Sequence, residues 1–185
     1  MTVSPTLDAR FREAAAAAGL LDVAYDLAET PIGTLLVATT DRGLCRISFD
    51  PEPEREAEEL ARAFGARVLR SPRPVDRVRR ELDEYFERKR TQFDLPLDLR
   101  PSGSFSRQVL KRLARVPYGQ VTTYGALARE AERPKAARAV GTVMNRNPIP
   151  IVLPCHRVVG ANGSLVGYGG GLDRKELLLT LEGAL

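Results

Sequence analysis

The apolar pattern of this chain changes period at Arg100-Pro101-Ser102-Gly103, and that change limits what each side can become. Before it, short runs of apolar and β-branched residues alternate with turn residues. Tyr25-Asp26-Leu27 leads through Pro31-Ile32-Gly33 to Thr34–Thr39, and Asp41-Arg42-Gly43 turns the chain into Leu44–Phe49, a hairpin signal. Glu54–Phe64 has helical spacing behind Pro51 and Pro53. Val68-Leu69 reads as a short strand, and Val75–Lys89 as an amphipathic helix with Val75, Val78, Leu82, Tyr85 and Phe86 on one side. Phe93–Leu99 reads as a last strand. The first residues, up to Leu21 and around the run Ala14–Ala18, read as a short helix or a loose leader. Residues 1–99 are thus predicted to form a small α+β scaffold domain.

Beyond the linker the texture is helical. Ser104 is placed to cap a helix over Phe105–Arg115, and Pro117-Tyr118-Gly119 breaks it. Thr122 or Thr123 then caps a short helix running through Ala131, Arg133-Pro134 interrupts, and Lys135–Asn145 makes a lean helix of mostly small side chains. Two short helices around a brief turn is the helix-turn-helix pattern. The expected fold class is therefore α+β: a sheet-plus-helix domain followed, over residues 104–185, by a mainly helical, winged-helix-like domain.

Charge follows the same division. Residues 1–100 carry 16 Lys and Arg against 19 Asp and Glu, whereas residues 101–155 carry nine against two, a balance of +7. Nucleic acid is the natural partner for so basic a segment. No apolar stretch approaches membrane-spanning length, and the N-terminal residues, with Asp8, Arg10, Arg12 and Glu13, do not read as a secretory h-region. A cytoplasmic protein without membrane attachment is expected. Cys45 and Cys155 lie far apart, and with the single histidine they offer no paired-ligand spacing for zinc.

That histidine, His156, follows Cys155 directly in Pro154-Cys155-His156-Arg157-Val158. A thiol is nucleophilic as thiolate, and imidazole takes up its proton near neutral pH. The pair reads either as a reactive thiol with its base or as a small buried hydrophobe beside a surface histidine. In an extended segment the two side chains would point to opposite faces, so a bend or a bridging water would be needed to connect them.

The segment Pro154–Val158, the preceding Asn147-Pro148-Ile149-Pro150, the helix Lys135–Gly141 and the loop Gly167-Tyr168-Gly169-Gly170-Gly171 together resemble the O6-alkylguanine-DNA alkyltransferases. The resemblance is dense after residue 100 and looser before it, where Thr30-Pro31-Ile32-Gly33 looks like that family's first hairpin. It implies repair of O6-alkylguanine in double-stranded DNA by irreversible, single-turnover transfer of the alkyl group to Cys155, with no cofactor and no metal.

The same resemblance implies His156 as base, Glu182 as the carboxylate that orients it, Tyr124 as proton donor to the leaving guanine, and Asn147 as a bridge between recognition helix and active-site turn. Without the resemblance, Tyr124 reads as a core residue and Asn147 as a helix-ending one. Flipping of the nucleotide is implied too, with Arg138 filling the vacated space and the helix carrying Ala137 entering the minor groove. Lys135, Arg129 and Arg146 read equally as phosphate contacts or as solvated surface. Met144, Pro150, Val158, Tyr168 and Gly169 are the expected pocket residues. Gly169 stands where relatives often have serine, so any hydroxyl contribution there is lost. A monomer in solution is expected.

Three other readings bear on the same residues. A damage sensor of the same fold would lack the cysteine, yet Cys155 is present and the chain has no tryptophan in its place. A regulator would carry further modules, and a Cys-His hydrolase would need a second histidine.

Overall fold

The computed structural model describes residues 4–185, which divide into two compact units, residues 4–84 with Asp94–Pro101 and Tyr85–Phe93 with Ser102–Leu185. The protein is α+β, with a small sheet in the first unit and mostly helices in the second.

In the first unit, helix α1 (Pro5–Ala17) precedes strands β1 (Val23–Ala28), β2 (Leu35–Thr40) and β3 (Gly43–Phe49), which form an antiparallel meander. Helix α2 (Pro53–Phe64) then returns the chain to β4 (Val68–Arg70), parallel to β1, giving the order β3-β2-β1-β4. β2 is central and buried on both faces, which is why Leu35-Leu36-Val37-Ala38 is a continuous apolar run rather than an alternating one. Leu60 of α2 packs with Val23, Leu36, Ala38 and Cys45. Cys45 donates to the Ala38 carbonyl at 3.2 Å, and burial pushes its thiol up to about 12, so this cysteine is chemically inert packing.

The expected strand Phe93–Leu99 is not formed. It is reduced to one bridge, Leu44 to Leu97, with Leu44 N donating to Pro96 O and Asp98 N to Leu44 O. Pro96 has no N–H with which to extend a ladder. Gly43, at φ +130°, lets the hairpin turn pass so close to Pro96 that any Cβ there would collide with its carbonyl. The helix expected over Val75–Lys89 is a 3-10 turn (Arg73–Val75) running into α3 (Asp76–Phe86). It stops early because Arg88 turns left-handed at φ +58° and its N–H closes back on Tyr85 O.

In the second unit, α4 (Ser104–Leu113) is followed by β5 (Thr122–Thr123), α5 (Tyr124–Glu130), α6 (Ala137–Asn145), β6 (Val158–Val159) and α7 (Leu172–Leu181), with β5 and β6 paired in parallel. Ser104 is not the cap expected of it. Gly103 holds that position with extended backbone and its carbonyl accepts the first helical bond from Arg107, so Ser104 is already helical. Thr123 does cap α5, accepting from Ala126 N at 3.1 Å. Leu127 and Ala128 of α5 and Val140, Val143 and Met144 of α6 are buried, as the apolar faces of a helix-turn-helix must be. Among the described residues no helix is long and apolar enough to cross a membrane.

Candidate active site

Residues 147–158 place the thiol. After α6 the chain turns through Ile151, a buried β-branched residue held at φ +73°, where such a side chain is strained. Pro154 (φ −79°, ψ +65°) forms an inverse γ-turn, with Cys155 N donating to Leu153 O at 2.8 Å. Cys155-His156-Arg157 is then one 3-10 turn closed by Arg157 N on Pro154 O. This corrects the extended reading. Successive side chains on such a turn lie about 120° apart, so Cys155 and His156 are not on opposite faces.

Asn147 is the brace of this turn. Its Nδ2 donates to Leu153 O at 2.7 Å and to Cys155 Sγ at 3.1 Å, while its Oδ1 accepts from Ile149 N. Cys155 is 5% exposed, and burial pushes its thiol up to about 11 despite the hydrogen bond from Asn147 and the charge of Lys175. At neutral pH the thiol is therefore protonated and needs a base.

His156 is fully buried, with Nε2 2.9 Å from Glu182 Oε1. Burial drives the imidazole below its ordinary value, outweighing the pull of Glu182. For Glu182, burial acts upward but is overcome by hydrogen bonds from His156, Arg157 and Tyr85, which hold it down at about 2. Carboxylate and neutral imidazole together specify the tautomer: Nε2–H donates to Glu182 and Nδ1 keeps a free lone pair. Nδ1 has no hydrogen-bond partner among the described residues. A neutral imidazole and a protonated thiol on one turn can generate a thiolate, directly or through a water.

Glu182 itself is held by the end of α7. The N–H groups of Gly183 and Ala184 bond back to Thr180 O and Leu179 O, a Schellman stop with Gly183 left-handed at φ +71°. Arg157 grips the carboxylate bidentately, Nε to Oε2 and Nη2 to Oε1, both at 2.8 Å, and its Nη1 donates to Val116 O. Gly119 N adds a longer bond to Oε2 at 3.3 Å.

Three of these partners carry no role in the sequence reading. Arg157 stands inside the recognised motif, so its position was a usable signal. Tyr85, whose hydroxyl donates to Glu182 Oε1 at 2.6 Å, reads only as an apolar position on a helix. Lys175 is fully buried on α7, its Nζ donating to Val158 O at 2.6 Å and Val166 O at 2.8 Å. It ties the residue after the active-site turn to the start of the glycine-rich loop.

The remaining expected residues fall into two groups. Tyr124 donates to Val166 O at 3.3 Å, the Tyr168 ring stands edge-on to His156 with centroids 6.5 Å apart, and Met144, Pro150 and Val158 are buried. Gly169 is exposed. Arg138, in the first turn of α6, is exposed, as are Lys135, Arg129 and Arg146, while Ala137 is half-buried. None of these four cations forms an ion pair with another described residue.

The chain matches two family profiles, "6-O-methylguanine DNA methyltransferase, ribonuclease-like domain" over residues 23–99 and "6-O-methylguanine DNA methyltransferase, DNA binding domain" over residues 104–184. It is 43% identical over 164 residues to a methylated-DNA–protein-cysteine methyltransferase of Mycolicibacterium paratuberculosis, covering 86% of this chain and 92% of that protein. It is 41% identical over 169 residues to one from Methanosarcina acetivorans, covering 86% and 98%. Among solved structures it is similar to Mycobacterium tuberculosis OGT in complex with DNA, at a TM-score of 0.76 and 37% identity, covering 87% of this chain and 93% of that one.

Proposed function

The chain belongs to the 6-O-methylguanine DNA methyltransferase family and acts in DNA repair by alkyl transfer to cysteine, and we propose that Cys155 is the acceptor, activated by His156 and Glu182. The observation that carries this reading is that Cys155, His156 and Glu182 are all buried, with Nε2 committed to the carboxylate and Nδ1 without a partner among the described residues.

In the reaction, Nδ1 takes the thiol proton, through a water where the two do not touch, and the imidazolium is stabilised by Glu182. The thiolate displaces guanine at the alkyl carbon: an S–C bond forms, the C–O6 bond breaks, and its electron pair leaves with the base. Tyr124 supplies a proton to the departing guanine and is restored from the imidazolium. One thiol and one O6-alkylguanine thus become one thioether and one guanine, with no further reactant. The thioether is no leaving group, so each molecule reacts once. Asn147, bonded to Sγ, stabilises the thiolate as charge develops.

A thiol this buried cannot reach a base inside a duplex, so the nucleotide is flipped out of the stack. α6 enters the minor groove, where Ala137 permits close approach and Arg138 takes the space of the extruded base. Lys135, Arg129 and Arg146 contact phosphates. Met144, Pro150, Val158, Tyr168 and Gly169 form the pocket. The protein works as a cytoplasmic monomer.

The test is intact-protein mass after mixing with duplex DNA containing O6-methylguanine, followed by peptide mapping. One methyl on Cys155 with guanine restored is expected. Tight lesion binding with no mass change would make the protein a damage sensor instead.

A further inference from the structure

Tyr85 lies far in sequence from the reacting residues, in the last turn of α3, yet it belongs to the second compact unit. Its side chain is fully buried, and its ring is packed by Phe86 and Phe93, each with centroids 5.3 Å away, and by Tyr118 at 6.0 Å. In such an aromatic cage a phenylalanine would serve packing equally well. The hydroxyl instead donates at 2.6 Å to Glu182 Oε1, the same oxygen that faces His156 Nε2 at 2.9 Å and Arg157 Nη2 at 2.8 Å. Tyr118, the neighbouring ring, donates to Leu181 O at 3.0 Å and so pins the residue before Glu182.

We infer that Tyr85 is a positioning residue for alkyl transfer: its hydroxyl orients Glu182 and, by sharing Oε1 with His156, sets how strongly the carboxylate holds the imidazole. The inference rests on the reading of His156 as base. Donors that share one carboxylate oxygen divide its negative charge, so a strong donor from Tyr85 weakens what His156 receives. Burial and the adjacent carboxylate raise the Tyr85 hydroxyl far above its ordinary range, so it acts only as a donor. The other groups acting on the imidazole are Arg157, Lys175 and Tyr168, and the Tyr85→Phe change removes none of them.

His156 is the only histidine in the chain, so a histidine-labelled sample gives a single pair of imidazole nitrogen signals. In Tyr85→Phe, Oε1 loses a competing donor and holds the imidazolium more tightly. The imidazole titration should move up by about one pH unit. The acid limb of the single-turnover rate should move up with it, so that at a fixed pH on that limb the rate falls on the order of tenfold, while the rate well above the limb and the binding of alkylated duplex are unchanged. Placing 3-fluorotyrosine at position 85, a stronger donor in the same cage, should move the titration the opposite way. Packing alone would produce no such ordered response.

An unmoved imidazole titration in both proteins, with transfer to Cys155 intact in the parent, overturns the inference. A titration that moves while the rate profile stays fixed overturns the role of His156 as base, and with it the effect of Tyr85 on transfer.

Discussion

Glu182 is the group whose titration should be visible in the stability of the fold. It is fully enclosed, accepts from His156, Arg157, Tyr85 and Gly119, and is held at about 2 against an ordinary 4.5. A carboxylate depressed on folding stabilises the native state above its unfolded value and loses that contribution as the pH falls towards the folded one. The window here therefore runs from pH 4.5 down to 2. At ~1.4 kcal/mol per unit the whole effect is on the order of 3 kcal/mol, and about 2 kcal/mol of it disappears between pH 5 and pH 3. Glu182→Gln keeps the shape and removes the charge, leaving the Arg157 guanidinium against a neutral amide, at a cost of about 3–5 kcal/mol near pH 7. Urea unfolding of parent and variant, followed by circular dichroism from pH 7 to pH 3, gives the comparison. Glu182 pulls the imidazole up, so His156 does not charge alike in the two proteins, and its titration in each, read from the ring signals of the one histidine, is subtracted before the difference is assigned to the carboxylate. That difference should shrink by about 2 kcal/mol at the acid end. A difference constant from pH 7 to pH 3 would refute the ionised, heavily bonded Glu182 described above.

Cys155→Ser should abolish alkyl transfer in a mass assay while leaving the affinity for DNA largely intact; stoichiometric transfer by the variant would remove Cys155 from its role. Arg138→Ala should slow repair of O6-methylguanine in duplex far more than reaction with the free alkylated base, and equal losses on both substrates would separate Arg138 from flipping. Lys175→Met leaves the Val158 and Val166 carbonyls without their donor, at ~1–3 kcal/mol each, partly offset by no longer burying an ammonium group. Its melting temperature should drop by about 5 °C, and an unchanged value would mean the two carbonyls find other partners.

The elements that local patterning describes best are those whose burial is simple. The Asp41-Arg42-Gly43 turn, the hairpin on either side of it, α2 behind Pro53 and the pair α5 and α6 stand where alternation or helical spacing places them. The misread elements each hinge on one backbone group. Pro96 withholds an N–H from a strand, Gly103 takes the capping position from Ser104, and Arg88 turns left-handed before Lys89 can be helical. The site divides likewise. Cys155 and His156 stand out as neighbours, and Glu182 is legible only through resemblance, since any surface glutamate near the C-terminus would look the same.

Residue order alone determines that a thiol and an imidazole sit side by side after a proline-punctuated turn, that positive charge gathers just upstream, and that the chain changes from strand to helix texture at residue 100. These follow from covalent neighbourhood and from side-chain period, which are local. The protonation states, the tautomer and the grip on Glu182 belong to the tertiary structure. They depend on water being excluded and on donors brought from Tyr85, Gly119 and Arg157 to one carboxylate, across 97 residues in the case of Tyr85. Burial and hydrogen bonding between distant groups leave no periodic trace in a sequence, and it is burial that pushes the Cys155 thiol up to about 11 and the imidazole of the next residue below its ordinary value.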